Sequence, residues 1–384
     1  MGERQAYKNW KNIDLVKIAG SFNQLDGNIF LGIDGFVDEV WQIVETRKDI
    51  KNREVFKEMG KFAKAVLDCG KGGFSHEIVK KRRSYGGFTA NTGQAVGRLG
   101  GNPTMVGLFG KDRIEEAYKP FADLYEIISV GNPALCSIYE FEDGKIMLPY
   151  IEEIMGLNWE RLTKAASEQT LKALLDKCSV IALGYWSLTP AFDEIAANVC
   201  RLLGDGAGKR MFFDFADIRK KDGASLDKTL KLLAEFNGSP PMTLSLNEHE
   251  ASLLFARLKV KFSVSGENLW LDIEDIRKRI GLDEIIVHTP HWAAGANSKE
   301  GGAFAEQVYC EKPVITAGAG DNFNAGFLTA SLTGLTLPEK LAAANAVARF
   351  YLANGHSPDR KELAEEMGRM YESLHGNSSQ FARI

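Results

Sequence analysis

The stretch Ile315-Thr316-Ala317-Gly318-Ala319-Gly320-Asp321-Asn322-Phe323-Asn324-Ala325-Gly326-Phe327 reads as a glycine-rich turn that runs directly into a helix and sets a carboxylate on its first turn. Gly318 and Gly320 have no Cβ, so the backbone can take unusual dihedrals there and come close to a ligand. The unpaired N–H groups at the start of the helix, with the helix dipole behind them, then point at an anion. Asp321 lies where an incoming hydroxyl can pass it a proton as a phosphoryl group arrives. Taken alone, the same residues also describe a strand-to-helix connection in which Asp321 only caps the helix.

Outward from this turn, periodicity predicts strands alternating with helices. Asn28-Ile29-Phe30-Leu31-Gly32-Ile33 reads as a buried strand, Thr89 to Leu99 as a helix, and Thr104-Met105-Val106-Gly107-Leu108-Phe109 as a second strand. Further apolar runs at Val180 to Gly184, Lys209 to Asp214, Met242 to Leu246 and Glu284 to His288 each adjoin helix-like segments. Such repeated units imply a parallel sheet covered on both faces, with ligands beyond the carboxyl ends of its strands. Between Leu282 and Gln307 the glycines Gly295, Gly301 and Gly302 make the chain read as loop or short strand.

Two segments interrupt the series. Ser137 to Phe141 and Lys145 to Leu148 flank Glu142-Asp143-Gly144, and Asp-Gly between alternating strands signals a hairpin, here a candidate lid. Lys51 to Cys69 is rich in helix formers, with Val55, Phe56, Met59, Phe62, Ala63, Val66 and Leu67 on one apolar face, and Gly70-Lys71-Gly72-Gly73 ends it. Lys80-Lys81-Arg82-Arg83 is the one run of charge, readable as a solvated basic edge or, just before a double glycine, as a group near an anionic ligand.

Composition narrows the class of function. A chain of 384 residues buries a large core, and its 45% hydrophobic and 26% charged residues are ordinary for a globular protein. A formal net charge of −4 gives no case for a nucleic-acid binder. The five cysteines are scattered without Cys-x-x-Cys spacing, as expected of reduced thiols in a cytoplasmic protein. Neither a secretory signal nor an apolar run of membrane-spanning length is evident, so the expectation is a cytoplasmic protein whose partners are small molecules, without nucleic acid or membrane.

Four polar stretches accompany the opening motif. Gly32-Ile33-Asp34-Gly35-Phe36-Val37-Asp38 puts two carboxylates after the first strand, where they can accept from hydroxyls. Gly86-Gly87-Phe88-Thr89-Ala90-Asn91 is a double glycine entering a helix. Asn247-Glu248-His249-Glu250 follows a strand and suits a hydrated magnesium ion. Asp214-Phe215-Ala216-Asp217-Ile218-Arg219 supplies polar groups at another strand end.

Together these resemble the ribokinase-like PfkB family of carbohydrate and nucleoside kinases, from about Asn28 to the end of the chain. Gly86-Gly87-x-x-x-Asn91 with the helix to Leu99-Gly100 resembles the family's N-terminal signature, and Gly107-Leu108-Phe109-Gly110-Lys111-Asp112 the segment after it. Gly318-Ala319-Gly320-Asp321 is similar to the C-terminal signature, and Ala343-Ala344-Asn345-Ala346 to the late helix beside the nucleotide base.

The resemblance implies an α/β fold: a ribokinase-like three-layer sandwich with a central, mostly parallel sheet and a small β lid. It implies one domain over 1–384, with lid insertions around 36–50, 80–88 and 134–150. By the same resemblance Asp321 is the catalytic base, and Gly318, Ala319 and Gly320 form the anion hole. Asp34, Asp38, Gly86, Gly87 and Asn91 hold the acceptor, although Asp34 alone also reads as a turn cap. Asn247 and Glu250 organise magnesium through water and, with Thr289 and Asn345, the nucleotide. Asn345 alone also reads as satisfying a neighbouring backbone group. Tyr185 and Trp186 read as stacking groups or as core aromatics.

The chain departs from the family pattern at two places. An Asp-Thr pair often precedes the glycine turn, whereas Ile315-Thr316 stands here, which puts activation by potassium in question. A Thr-x-Gly-x-x-Gly nucleotide wall is replaced by Thr289-Pro290-His291-Trp292-Ala293-Ala294-Gly295, and Pro290 removes a donor. The longer segment between Asp38 and Gly86 could enlarge the lid, alter acceptor choice or build a dimer contact; a homodimer through the lid is one expectation.

The expected function is an ATP- and magnesium-dependent kinase for a hydroxyl of a sugar or sugar derivative. The alternatives are a nucleoside kinase of the same fold and a catalytically silent sugar-binding sensor, against which the intact Asp321 argues. A dehydrogenase and a Walker-type enzyme are excluded by the absence of Gly-x-Gly-x-x-Gly after the first strand and of Gly-x-x-x-x-Gly-Lys-Ser/Thr.

Overall fold

Alternation along the central strands decides the architecture. In the strand Cys178–Gly184, Ile181 and Leu183 bury on one face and Val180 and Ala182 on the other; Met211 and Phe213 oppose Phe212 in the same way along Arg210–Asp214. Apolar residues on both faces require cover on both faces. One is packed by the helices Glu168–Lys177, Phe192–Leu203, Gly223–Phe236, Glu248–Arg257 and Leu269–Ile280. The other is packed by Leu15–Ser21, Phe88–Arg98, Ala319–Ala330, Leu337–Asn354 and Arg360–His375. The computed structural model describes residues 8–9, 13–238, 240–262 and 269–375 and gives the expected three-layer α/β sandwich.

The central sheet has ten strands. From edge to edge they are Lys8–Asn9, Gly301–Glu306, Trp292–Asn297, Glu284–His288, Met242–Asn247, Arg210–Asp214, Cys178–Gly184, Asn28–Gly32, Asn102–Gly107 and Glu126–Ser129. All neighbours are parallel except Trp292–Asn297, which runs against both of its partners.

The irregular reading of 282–307 is corrected here, since Trp292–Asn297 and Gly301–Glu306 are regular sheet strands. Their small residues reflect crowding rather than disorder of the chain. A Cβ on Gly302 would lie 2.0 Å from the Trp270 ring, and one on Gly295 would lie 3.0 Å from the Ile285 carbonyl.

The five-stranded second sheet is built on the 12-residue strand Phe36–Arg47. Ile78–Gly86 and Arg53–Val55 pair with it antiparallel, and Ala134–Glu140 pairs with it in parallel. The expected hairpin is present, with Ala134–Glu140 antiparallel to Lys145–Tyr150. The helix read over 51–69 is shorter, Met59–Asp68, because Arg53–Val55 is taken up as an edge strand. Phe56 and Phe141, both buried, close a small aromatic centre with Phe62, Phe74 and His76 at the far end of this sheet.

Candidate active site

The glycine turn takes the geometry its sequence suggests. Gly318 is left-handed at φ 86° and caps the helix Ala319–Ala330, and the first N–H to bond back along that helix is Asn322, to Gly318 O at 3.0 Å. The N–H groups of Gly320 and Asp321 therefore precede the helical ladder. Tyr351 steadies the turn from the next helix, its hydroxyl donating to Ala317 O at 2.7 Å.

Asp321 stands on the first turn of this helix, and Asn91, on the first turn of Phe88–Arg98, donates to its Oδ2 at 2.7 Å. Burial raises the Asp321 carboxyl to about 7, with the Asp214 charge adding to the effect and the Asn91 hydrogen bond opposing it. A carboxylate held near neutrality accepts a proton more readily than an ordinary one, as a general base requires.

Asp34 and Asp38, read from the sequence as acceptor ligands, lie against the double glycine. A Cβ on Gly87 would fall 2.1 Å from Asp34 Oδ2, and one on Gly86 would fall 2.6 Å from Asp38 Oδ2. Asp34 Oδ1 accepts from the Thr89 N–H at 2.8 Å and the Thr89 hydroxyl at 2.5 Å, whereas its buried Oδ2 has no partner among the described residues. The capping and ligand readings of Asp34 thus fall on different oxygens. Burial raises both carboxyls to about 6.

A cavity of about 760 Å³ opens on the other side of the turn, bordered by Thr316, Ala319 and Gly320. Asn247 and Thr289 line it, together with Tyr309, Ala348 and Leu352. Thr289 is part of a tight turn in which its hydroxyl accepts from the His291 and Trp292 N–H groups. Asn345, expected beside the nucleotide base, is fully buried instead. Its Nδ2 donates to Ala305 O at 3.1 Å, so its helix reaches the cavity through Ala348 and Leu352.

Asn247 and Glu250 form a reciprocal helix cap rather than an open pair. Asn247 Oδ1 accepts from Glu250 N at 2.9 Å, and the Glu250 carboxylate accepts from Asn247 N at 3.0 Å and Nδ2 at 2.7 Å. Burial, then the Asp214 charge, raises Glu250 to about 9. No cluster of three or more His, Cys, Asp or Glu side chains with metal-ligating spacing occurs among the described residues.

Three features gain partners that the sequence reading did not give them. Asp214 is held by Asn324, whose Nδ2 donates to Asp214 Oδ2 at 2.6 Å while its Oδ1 accepts from Ser245 at 2.7 Å. His288 stacks on Phe323 behind the glycine turn, and burial lowers it to about 4, leaving it neutral. Tyr185 follows a strand end at φ 65°, packs on Phe36, and interacts electrostatically with Asp34, Asp321, Asp38 and Asp214. Its position after the carboxyl end of Cys178–Gly184 was the available signal. Trp186 is core, buried with its Nε1 donating to Thr229.

Fold and site define a sugar kinase of the ribokinase class, a phosphotransferase with an alcohol group as acceptor. The family model for prokaryotic ketohexokinase matches residues 18–369, and the chain belongs to that family. It is 25% identical over 342 residues to a ketohexokinase of Haloferax volcanii, covering 88% of this chain and 90% of that one. Among solved structures, ribokinase of Arabidopsis thaliana complexed with ribose and ATP matches at TM-score 0.62 and 16% identity, over 89% of this chain and 99% of that one. The nucleoside kinase of Methanocaldococcus jannaschii, an archaeal member of the ribokinase family, matches at TM-score 0.58 and 15% identity, over 90% and 100%. No helix among the described residues is long and apolar enough to cross a membrane.

Proposed function

We propose that this protein transfers the γ-phosphoryl group of ATP to a hydroxyl of a ketohexose, with Asp321 as general base. The hydrogen bond from Asn91 to Asp321 carries the reading, because it fixes a near-neutral carboxylate where the glycine turn, the cavity and the acceptor-side carboxylates meet. The ketohexose comes from the name of the Haloferax relative, and ATP from the ribokinase solved with ribose and ATP.

In this reading the nucleotide lies along the cavity, its base toward Tyr309, Ala348 and Leu352 and its phosphates at Gly318, Ala319 and Gly320. The acceptor lies between Asp34, Asp38 and the double glycine. Asp321 takes the proton of the attacking hydroxyl, and the N–H groups of Gly320 and Asp321 meet the charge that develops on the transferred oxygens. The chain is one domain whose second sheet, around 36–50, 80–88 and 134–150, is the lid that excludes water.

Magnesium suits the donor set only as a hydrated ion. Burial and the Asp214 charge raise both Glu250 and Asp321, while the Glu250 oxygens are already engaged by Asn247. Asn247 and Glu250 would therefore hold the ion through water, and bound there it would neutralise phosphate charge.

A coupled turnover screen against free sugars, polyols, nucleosides and sugar phosphates, with ATP and ADP as donors, tests the proposal. Turnover of a ketohexose with ATP that disappears in Asp321→Asn is expected. Sugar binding without turnover under either donor would overturn it in favour of a silent sensor.

A further inference from the structure

The lid carries several cations, and those of the basic run are paired. Lys80 meets Glu39 at 2.8 Å, Lys81 meets Glu140 at 2.6 Å, Arg82 meets Glu140 at 3.4 Å and Arg83 meets Glu115 at 3.1 Å. Lys145, on the second strand of the hairpin, differs. It is half-buried, yet it makes no hydrogen bond through its ammonium and no ion pair within 4 Å among the described residues.

Strand register fixes where Lys145 stands. Asp38 is opposite Cys136; Cys136 and Glu140 share a face of their strand, and Glu140 is opposite Lys145. Lys145 and Asp38 thus belong to one face of the lid. Asp38 is also half-buried, and its carboxylate accepts no hydrogen bond among the described residues. The two charges feel each other, since Asp38 is the leading attractive partner of Lys145, but they remain beyond ion-pair distance.

Burial acts against both charged forms, lowering the lysine and raising the aspartic acid to about 6. Polar groups left in this state call for partners. Opposite charges set apart on one face suit a molecule with hydroxyl or carbonyl oxygens at both ends. In the basic run Lys80, Lys81 and Arg83 have carboxylate partners, and only Arg82, which shares Glu140 with Lys81, also acts on Asp38, after Lys145.

We propose that Lys145 is an acceptor-specificity residue: its ammonium donates to an oxygen of a neutral, unphosphorylated ketose whose other hydroxyls donate to Asp38. This rests on the kinase reading of the site given above. It turns the basic run from a phosphate-binding hint into a set of paired lid charges, and gives the acceptor contact to a residue outside that run.

The test compares Lys145→Met and Lys145→Arg with the unaltered protein, using fructose and fructose 6-phosphate as acceptors and calorimetry for binding. Loss of a charge-assisted hydrogen bond should raise the KM and Kd for fructose about tenfold or more in Lys145→Met. The kcat and the KM for ATP should stay within about threefold, since the contact forms before the transition state as well as in it. Lys145→Arg should recover part of the affinity, and fructose should be preferred to fructose 6-phosphate in kcat/KM. Unchanged fructose affinity in Lys145→Met, or preference for the phosphate ester, would overturn the proposal. If neither acceptor is turned over but Lys145→Met still weakens fructose binding, the role of Lys145 stands and the kinase reading of the site is what fails.

Discussion

The carboxamide of Asn91 donates to Asp321 Oδ2 at 2.7 Å, tying together the first turns of two helices whose linked residues are 230 positions apart. Asn91 follows the double glycine beside Asp34 and Asp38, and Asp321 follows the glycine turn that borders the cavity. In the proposed kinase, one hydrogen bond therefore registers the acceptor half of the site against the donor half.

Replacing Asp321 by Asn keeps the shape and removes the proton acceptor. Steady-state turnover should fall by about 10²–10⁴ in kcat, as expected for loss of a general base, while acceptor affinity measured by calorimetry changes little. Near-normal turnover would mean that another group takes the proton.

The elevated Asp321 carboxyl predicts an acid limb in activity. In the free enzyme, kcat/KM for the acceptor should fall as pH drops through about 7, because the protonated form cannot accept the hydroxyl proton. Asn91 favours the charged form, so Asn91→Ala should move that limb to higher pH. A limb that stays in place would separate the pH dependence from this pair.

Gly87 has φ 88°, and a side chain there would meet Asp34 Oδ2 at 2.1 Å. Gly87→Ala should cost roughly 1–3 kcal/mol of stability in denaturant unfolding through backbone strain and this collision. It should also raise the acceptor KM by displacing Asp34. Wild-type stability and KM in this variant would remove the reason given for the double glycine.

Glu284 illustrates a buried charge that serves the fold. Burial alone would raise its carboxyl, but Lys340, then Arg210, Asn297 and Thr243, hold it down at about 2. Its stabilising contribution is present above the ordinary glutamate range and is lost as pH falls toward 2. Lys340→Met leaves the buried carboxylate with only Arg210 as a cation partner and should cost about 3–5 kcal/mol at pH 7. Acid unfolding that is unchanged in Glu284→Gln would contradict this assignment.

Much of the fold was legible because its signals are local. Runs such as Met211 to Phe213 announce strands buried on both faces, and the Asp143-Gly144 hairpin lies where its turn chemistry puts it. Trp292–Asn297 and Gly301–Glu306 were misread because the reason for their small residues is the Trp270 ring and a neighbouring strand, neither of which is local. The site divides in the same way. Asp321, Asn91, Asp34 and Asp38 stand in short motifs, whereas the chain Ser245 to Asn324 to Asp214 joins three distant segments and leaves no spacing to read. Asn345 shows the converse, a motif residue whose side chain the packing turns toward the Ala305 carbonyl.

The pairing of Lys80 to Arg83 with Glu39, Glu140 and Glu115 also bears on how an acceptor arrives. A strand of four bare cations would reach out to anions over about a Debye length, and its pull would fade as ionic strength rises. Four cations with three carboxylates alongside keep a net charge of one, so their long-range pull is a fraction of that of four bare cations. An anionic acceptor would therefore be drawn in only weakly, while the uncharged sugar proposed above arrives by unguided diffusion at a rate that ionic strength leaves unchanged.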